Sequence, residues 1–449
     1  MERREFMRFS GIAIAAGLSD RLIPGYRSVV HGALSETGEA RAEVLAEDEA
    51  FWRKIRQAYV TTTDLVDFDN ANTAPTPAPV FDAYVQRGRK LRHAPAESFG
   101  KMWNNETDVA RKALAALLGS APSRLAFTLN ATVALNTVLH GFPLERGDEI
   151  LVTNHEYPDM VETVLQRQRR DGIVMKVVKI PLPNESSLDL VRRVTDAIGP
   201  RTRLLLISHV SAWSGEILPV KAVTRAARAK GVAVLVDAAQ SVGVLDVSFD
   251  DIGCDFLATS LHKWVAAPMG TGALIMRQEH FGRVLPLHPP SWDTSKYPTD
   301  LYEWTGTFNM AAYAAVNDAL DFQRTIGLER KRARVRYLGE YWQSRLASTP
   351  GVRILTPREA ERRFGVASFM IEGVDPAALV KHLRSKGILV QNKAGRHSPF
   401  ANAIRVSPGV YATTEELDQF VRERTWSCWR SSTRPAHRSR PAHRGTACS

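Results

Sequence analysis

The stretch that decides the fold is residues 232–272, opening VAVLVDAAQ (232–240) and closing DFLATSLHKWVAAPMGTG (255–272). The apolar run at 232–236 predicts a fully buried strand, and it ends on an acid, Asp237. A carboxylate there is expensive unless a fixed positive group meets it. Lys263 follows Ser260-Leu261-His262 and precedes the apolar run 264–268, a setting that holds an amine partly neutral, as a carbonyl-trapping nucleophile requires. A lysine for an aldehyde and a carboxylate for a pyridinium nitrogen are the pair that pyridoxal phosphate chemistry needs.

Working back from that stretch, strands and helices alternate. Strands are predicted over 125–129, 149–153, 174–179 and 202–208, with helices over 133–139, 160–169, 189–197 and 220–229. Strand, polar turn and helix in repetition predict an α/β large domain: a mainly parallel sheet with helices on both faces. Ligands of such sheets bind beyond the carboxyl ends of the strands, where Asn130-Ala131-Thr132, His155, His209 and Asp237 all fall.

Before the alternation, helices are expected over 48–59 and 108–118, and a short strand runs into the polar loop 67–75. After residue 277 the pattern changes to helices over 311–326, 332–347, 376–385 and 414–422, with strands over 352–355, 366–371, 388–391 and 403–407. That is a smaller α+β C-terminal domain. The expected bounds are a leader at 1–30, a helical segment at 31–66, the large domain at 67–305, the small domain at 306–424 and a tail at 425–449.

At 449 residues the chain is long enough for two domains with a substantial core. No apolar run approaches the length of a membrane span. The three cysteines include no C-x-x-C, which excludes a disulfide framework and a cysteine-rich metal site. The net charge of +11 resides mainly at the ends: residues 422–449 carry seven arginines against one glutamate, and residues 1–30 five arginines against three acids. That leaves +11 − 6 − 2 = +3 for the body, too little for a nucleic-acid footprint.

The leader reads Arg3-Arg4-Glu5-Phe6-Met7-Arg8 before a short apolar run, similar to a twin-arginine export signal, although Glu2 and the lack of an A-x-A site depart from it. Export is the expectation, with the cytoplasm as the alternative. The tail, with two copies of Arg-Pro-Ala-His-Arg at 434–438 and 440–444, is expected to be a disordered, solvated segment or a reading-frame artefact.

Singly, each candidate has an ordinary reading. The Asn-Ala-Thr turn can be a helix cap, His155 a loop histidine, Asp237 a salt-bridged acid, Lys263 a surface lysine and Arg405 the partner of a surface carboxylate. Their joint occurrence at strand ends changes the weight. TSLHKWVAAPMGTG, SHVSAWSGEILPV, EWTGT and IRVSPGVYATTEELD make residues 65–424 resemble the class V aminotransferase family of fold-type I pyridoxal phosphate enzymes, in its isopenicillin N epimerase-like branch. The resemblance implies Lys263 as the Schiff-base lysine, Asp237 on the pyridine nitrogen, Gln240 near the phenolic oxygen and His155 stacked on the ring. It further implies Ala131, Thr132, Ser260 and His262 at the phosphate, Thr307 reaching the phosphate of a partner subunit in a homodimer with shared sites, and Arg405 on the substrate carboxylate.

The family's cysteine desulfurases need a cysteine in the loop before that arginine; residues 392–399 contain none, and Ala212 stands where they carry asparagine. The expected chemistry is therefore proton removal from the α-carbon of an amino-acid-like substrate, with Lys263 as base. Transamination or epimerization follows, C–S or C–N lysis is the alternative, and desulfurization or a non-catalytic cofactor-binding role ranks lower. Tyr157 is the one candidate for a second acid or base.

Overall fold

A computed structural model describes residues 40–62, 64–295, 298–392 and 398–423, with 30 and 32–35 besides. Apart from Val30, the export signal and the basic tail lie outside the described residues.

Strand β1 is Val66–Asp67. Seven strands then build the central sheet: β2 (Leu125–Thr128), β3 (Glu149–Thr153), β4 (Val174–Val178), β5 (Thr202–Ser208), β6 (Ala233–Asp237), β7 (Phe256–Ser260) and β8 (Gly272–Met276). Their order is β2-β8-β7-β6-β5-β3-β4, and only β8 runs antiparallel to its neighbours. The mainly parallel α/β sheet read from the sequence is therefore present. β8 was not anticipated: an antiparallel return strand has no following helix to announce it.

The apolar runs are continuous because both faces of the sheet are covered. Along β5, Leu204 and Leu206 pack into one core while Leu205 and Ile207 pack into the other. On β6, Leu235 and Val236 divide in the same way.

Toward the C-terminus, β9 (Val352–Ile354), β10 (Ala367–Ile371) and β12 (Ile404–Val406) form an antiparallel sheet in the order β12-β10-β9, and β11 (Ile388–Leu389) pairs in parallel with β1. Asp69 bridges Ser407 in the same parallel sense. The segment after β1 is thereby drawn alongside β12, which carries Arg405. Helix Ala78–His93 was missed, and the helix expected over 311–326 is two, Met310–Ala314 and Val316–Ile326, separated at Ala315. Among the described residues, no helix is long and apolar enough to cross a membrane.

Candidate active site

Adjacent strand ends assemble the site. Register aligns Ser208 of β5 with Asp237 of β6, and Asp237 with Ala258 of β7. Lys263 follows β7 on a tightly fixed loop. Leu261 N–H donates to Thr271 O at 2.9 Å, Ala267 N–H to Leu261 O at 3.0 Å, and Ala266 takes the left-handed conformation at φ 56°. Gln323 Nε2 donates to Val265 O at 2.8 Å, and Lys331 Nζ to Trp264 O at 2.7 Å.

The half-buried Lys263 amine has no hydrogen-bonding side chain among the described residues. Burial lowers its pKa to about 8; the field of Asp237 opposes that shift, Arg405 reinforces it and Asp69 opposes it. Asp237 is pushed up by burial, against the Ala239 N–H, which donates to Oδ1 at 2.9 Å, and against Lys263. Its Oδ2 has no hydrogen-bond partner among the described residues, which leaves an acceptor for a protonated ring nitrogen.

The opposite end suits an anion. Thr128, Gly272 and Ser260 lie side by side in register, and helix α1 (Ala131–Gly141) starts directly after them. Asn130 caps α1 by accepting from Val133 N–H at 2.9 Å, and Ser260 Oγ accepts from Ala131 N–H at 2.9 Å. The Thr132 amide, in the first turn, has no intrahelical acceptor. Only glycine fits at 272, since a Cβ there would lie 2.5 Å from Asn130 Cα. His262 has a buried Nδ1 without a partner among the described residues, and burial, aided by Lys263, lowers its pKa to about 4.

Gln240 is fixed at both ends of its amide: Nε2 donates to Ala71 O at 2.8 Å, and Oε1 accepts from Trp264 Nε1–H at 2.8 Å. A phenolic oxygen would meet its second N–H. These residues fit pyridoxal phosphate, through an amine for its aldehyde, a carboxylate for its ring nitrogen and an unpaired imidazole nitrogen with a helix start for its phosphate.

His155 lies in the turn directly after β3. Its main-chain N–H donates to Thr153 Oγ at 3.1 Å. Its ring, 1% exposed, packs edge-on to Phe400 at 5.1 Å and lies 3.9 Å from Glu216 Oε2. The ring is buried, and burial lowers its pKa to about 4. Two residues on, Tyr157 is 37% exposed at the N-cap of helix α2 (Pro158–Asp171). Its phenol pKa is raised by burial first, and it feels Arg405 and Asp237.

Glu156, between them, was missed by the sequence reading. It is buried, its oxygens accept from Thr153 Oγ–H and Ser208 Oγ–H at 2.6 Å each, and burial raises its pKa to about 7 with Asp237 adding to the shift. His209 is held by Ser241, its Nδ1 3.0 Å from Oγ. Arg405 Nη2 donates to Asp69 Oδ1 at 2.7 Å. Thr307 lies exposed between helices Asp300–Glu303 and Met310–Ala314, and among the described residues no hydrogen bond ties it to Lys263, Asp237 or Ser260.

Sheet order and paired lysine and carboxylate define an α/β enzyme that uses pyridoxal phosphate. Residues 66–420 match the aminotransferase class-V family, and the chain belongs to it. It is 30% identical over 394 residues to the isopenicillin N epimerase of Streptomyces clavuligerus, covering 83% of this chain and 97% of that protein. It is also 30% identical over 398 residues to a probable cysteine desulfurase of Xylella fastidiosa, covering 82% and 94%. Among solved structures, the cystine C–S lyase C-DES in complex with cysteine persulfide superposes with a TM-score of 0.72 at 23% identity, covering 81% of this chain and 97% of that one, a likeness of fold.

Proposed function

We propose that this chain acts on an amino acid or amino-acid-derived substrate, removes the α-proton and completes an epimerization or a transamination. The observation that carries this reading is the Lys263 amine, lowered to about 8 and under the fields of Asp237 and Arg405 together. Bound pyridoxal phosphate supplies an electron sink for the α-carbon. Ser260, His262, Ala131 and Thr132 would hold its phosphate, Asp237 its ring nitrogen and Gln240 its phenolic oxygen.

Arg405 orients the substrate carboxylate. Lys263, mostly neutral slightly above its pKa, takes the α-proton as general base. Tyr157, rather than His155, is the second proton carrier: its accessible phenol stays protonated and lies within the fields of Arg405 and Asp237. Return of a proton from Tyr157 would invert the α-carbon, whereas in a transamination Lys263 would deliver the proton instead.

Among the described residues the one cysteine, Cys254, is buried and burial pushes its thiol up, which does not favour persulfide formation. The exposed Thr307 loop supports a homodimer in which each subunit completes its partner's phosphate site. The Arg3-Arg4 leader supports export.

Incubation of the holoenzyme with amino acids in deuterated water tests the reading. Deuterium at the α-carbon without keto acid supports epimerization, and keto acid supports transamination. Ammonia with loss of a side-chain substituent would indicate lysis, and no exchange with any amino acid would contradict the proposal.

A further inference from the structure

Arg405 is already engaged in the ligand-free protein. Besides its bond to Asp69, its Nη1 donates to Ala212 O at 3.1 Å, its guanidinium carbon lies 5.1 Å from the Trp213 ring centroid, and Nε is buried without a partner among the described residues. The Asp69–Arg405 pair is secluded, with side chains 9% and 6% exposed.

Asp69 is held in place by its backbone. Its N–H donates to Asp67 Oδ1 at 2.7 Å, Asn70 N–H to Ser407 O at 3.0 Å and Ala71 N–H to Ser407 Oγ at 3.1 Å. With its backbone fixed in this way, Asp69 keeps its carboxylate within reach of the guanidinium when an anion arrives.

We infer that Asp69 is a specificity-determining residue, an internal carboxylate that neutralises Arg405 and competes with the carboxylate of the substrate. The inference rests on the reading of Arg405 as the group that meets that carboxylate. A substrate anion bound to the same guanidinium lies close to the Asp69 carboxylate. In a partly buried site, two like charges about 5 Å apart weaken binding on the order of a hundredfold. The resting pair thus presents a nearly neutral surface, and the cleft discriminates weakly between an amine that carries an α-carboxylate and one whose carboxyl is capped as an amide or ester. The substrate class widens from free amino acids to capped and peptide-like amines.

The test uses aminooxyacetate and methoxyamine, which both consume the visible absorbance of the holoenzyme but differ in a carboxylate. The readout is the ratio of their second-order rate constants. Wild type is expected to favour aminooxyacetate by less than about tenfold. D69N, which keeps an acceptor for Nη2, raises that ratio about tenfold or more through aminooxyacetate alone. D69S gives the same direction should D69N fold poorly, and the wild-type ratio needs no variant. A wild-type preference above about a thousandfold, or a ratio unchanged or lowered in the Asp69 variants, overturns the inference and leaves Asp69 as a support for Arg405. R405Q separates the two readings: if it does not lower the ratio, Arg405 is not the carboxylate site, whatever the Asp69 variants do.

Discussion

Lys331 Nζ donates to the carbonyl of Trp264, the residue after Lys263, at 2.7 Å, and to that of Gly243 at 2.6 Å. It is 2% exposed, and among the described residues its amine meets these two carbonyls and no carboxylate. An ammonium buried on neutral acceptors is costly, and burial lowers its pKa to about 7. The long helix Leu328–Ala347 thereby fastens the loop that presents Lys263.

Stability should carry the signature of that amine. An unfolded lysine titrates near 10.4, so between about pH 7 and 10 the unfolded chain holds a proton that the folded chain lacks. Stability from this group therefore rises with pH across that window. Urea unfolding at pH 7 and pH 9 should show wild type gaining more than K331M between the two; equal gains would place the charge of Lys331 elsewhere.

Uptake of pyridoxal phosphate by the apo-protein should follow the neutral fraction of Lys263 and increase through about pH 8. Asp237 raises that pKa and Arg405 lowers it, so D237N should move the midpoint down and R405Q should move it up. Stopped-flow absorbance across pH measures both. Shifts in the same direction would contradict the assigned fields.

Gly272→Ala forces a Cβ against backbone atoms of Asn130 and Thr259, with the nearest at 2.5 Å. Relief requires separating β8 from the start of α1, at a cost of about 1–3 kcal/mol. Equilibrium dialysis should find cofactor affinity reduced at least about tenfold, while Ser260→Ala, which removes one hydroxyl donor, loses less.

Tyr157 and His155 should separate by phenotype. Y157F is expected to retain the visible absorbance and lose turnover by about 10²–10⁴, the range of a general acid. H155A removes a buried ring from Phe400 and should lower the melting temperature with little effect on the spectrum. The reverse pattern, measured by parallel spectra and turnover, would return the cofactor-facing role to His155.

Much of the architecture was legible because buried strands with polar ends leave continuous apolar runs, as at 202–208 and 232–236. The positions of Asp237 at the end of β6 and Lys263 after β7 were legible for the same reason. β8 was not, since GALIM lacks a following helix, nor was the break at Ala315, which no glycine or proline marks. Asp69 and Lys331 were illegible in kind: Asp69 meets a residue 336 positions away and Lys331 a residue 67 away, and neither partner marks the other in sequence.

The most direct test of the central claim is borohydride fixation of the bound cofactor followed by peptide mass mapping. The reduced pyridoxyl phosphate mass is expected on the peptide that contains Lys263, and K263A should retain none. Fixation on any other lysine, Lys331 included, or no fixation in a protein that carries the cofactor, would contradict the account.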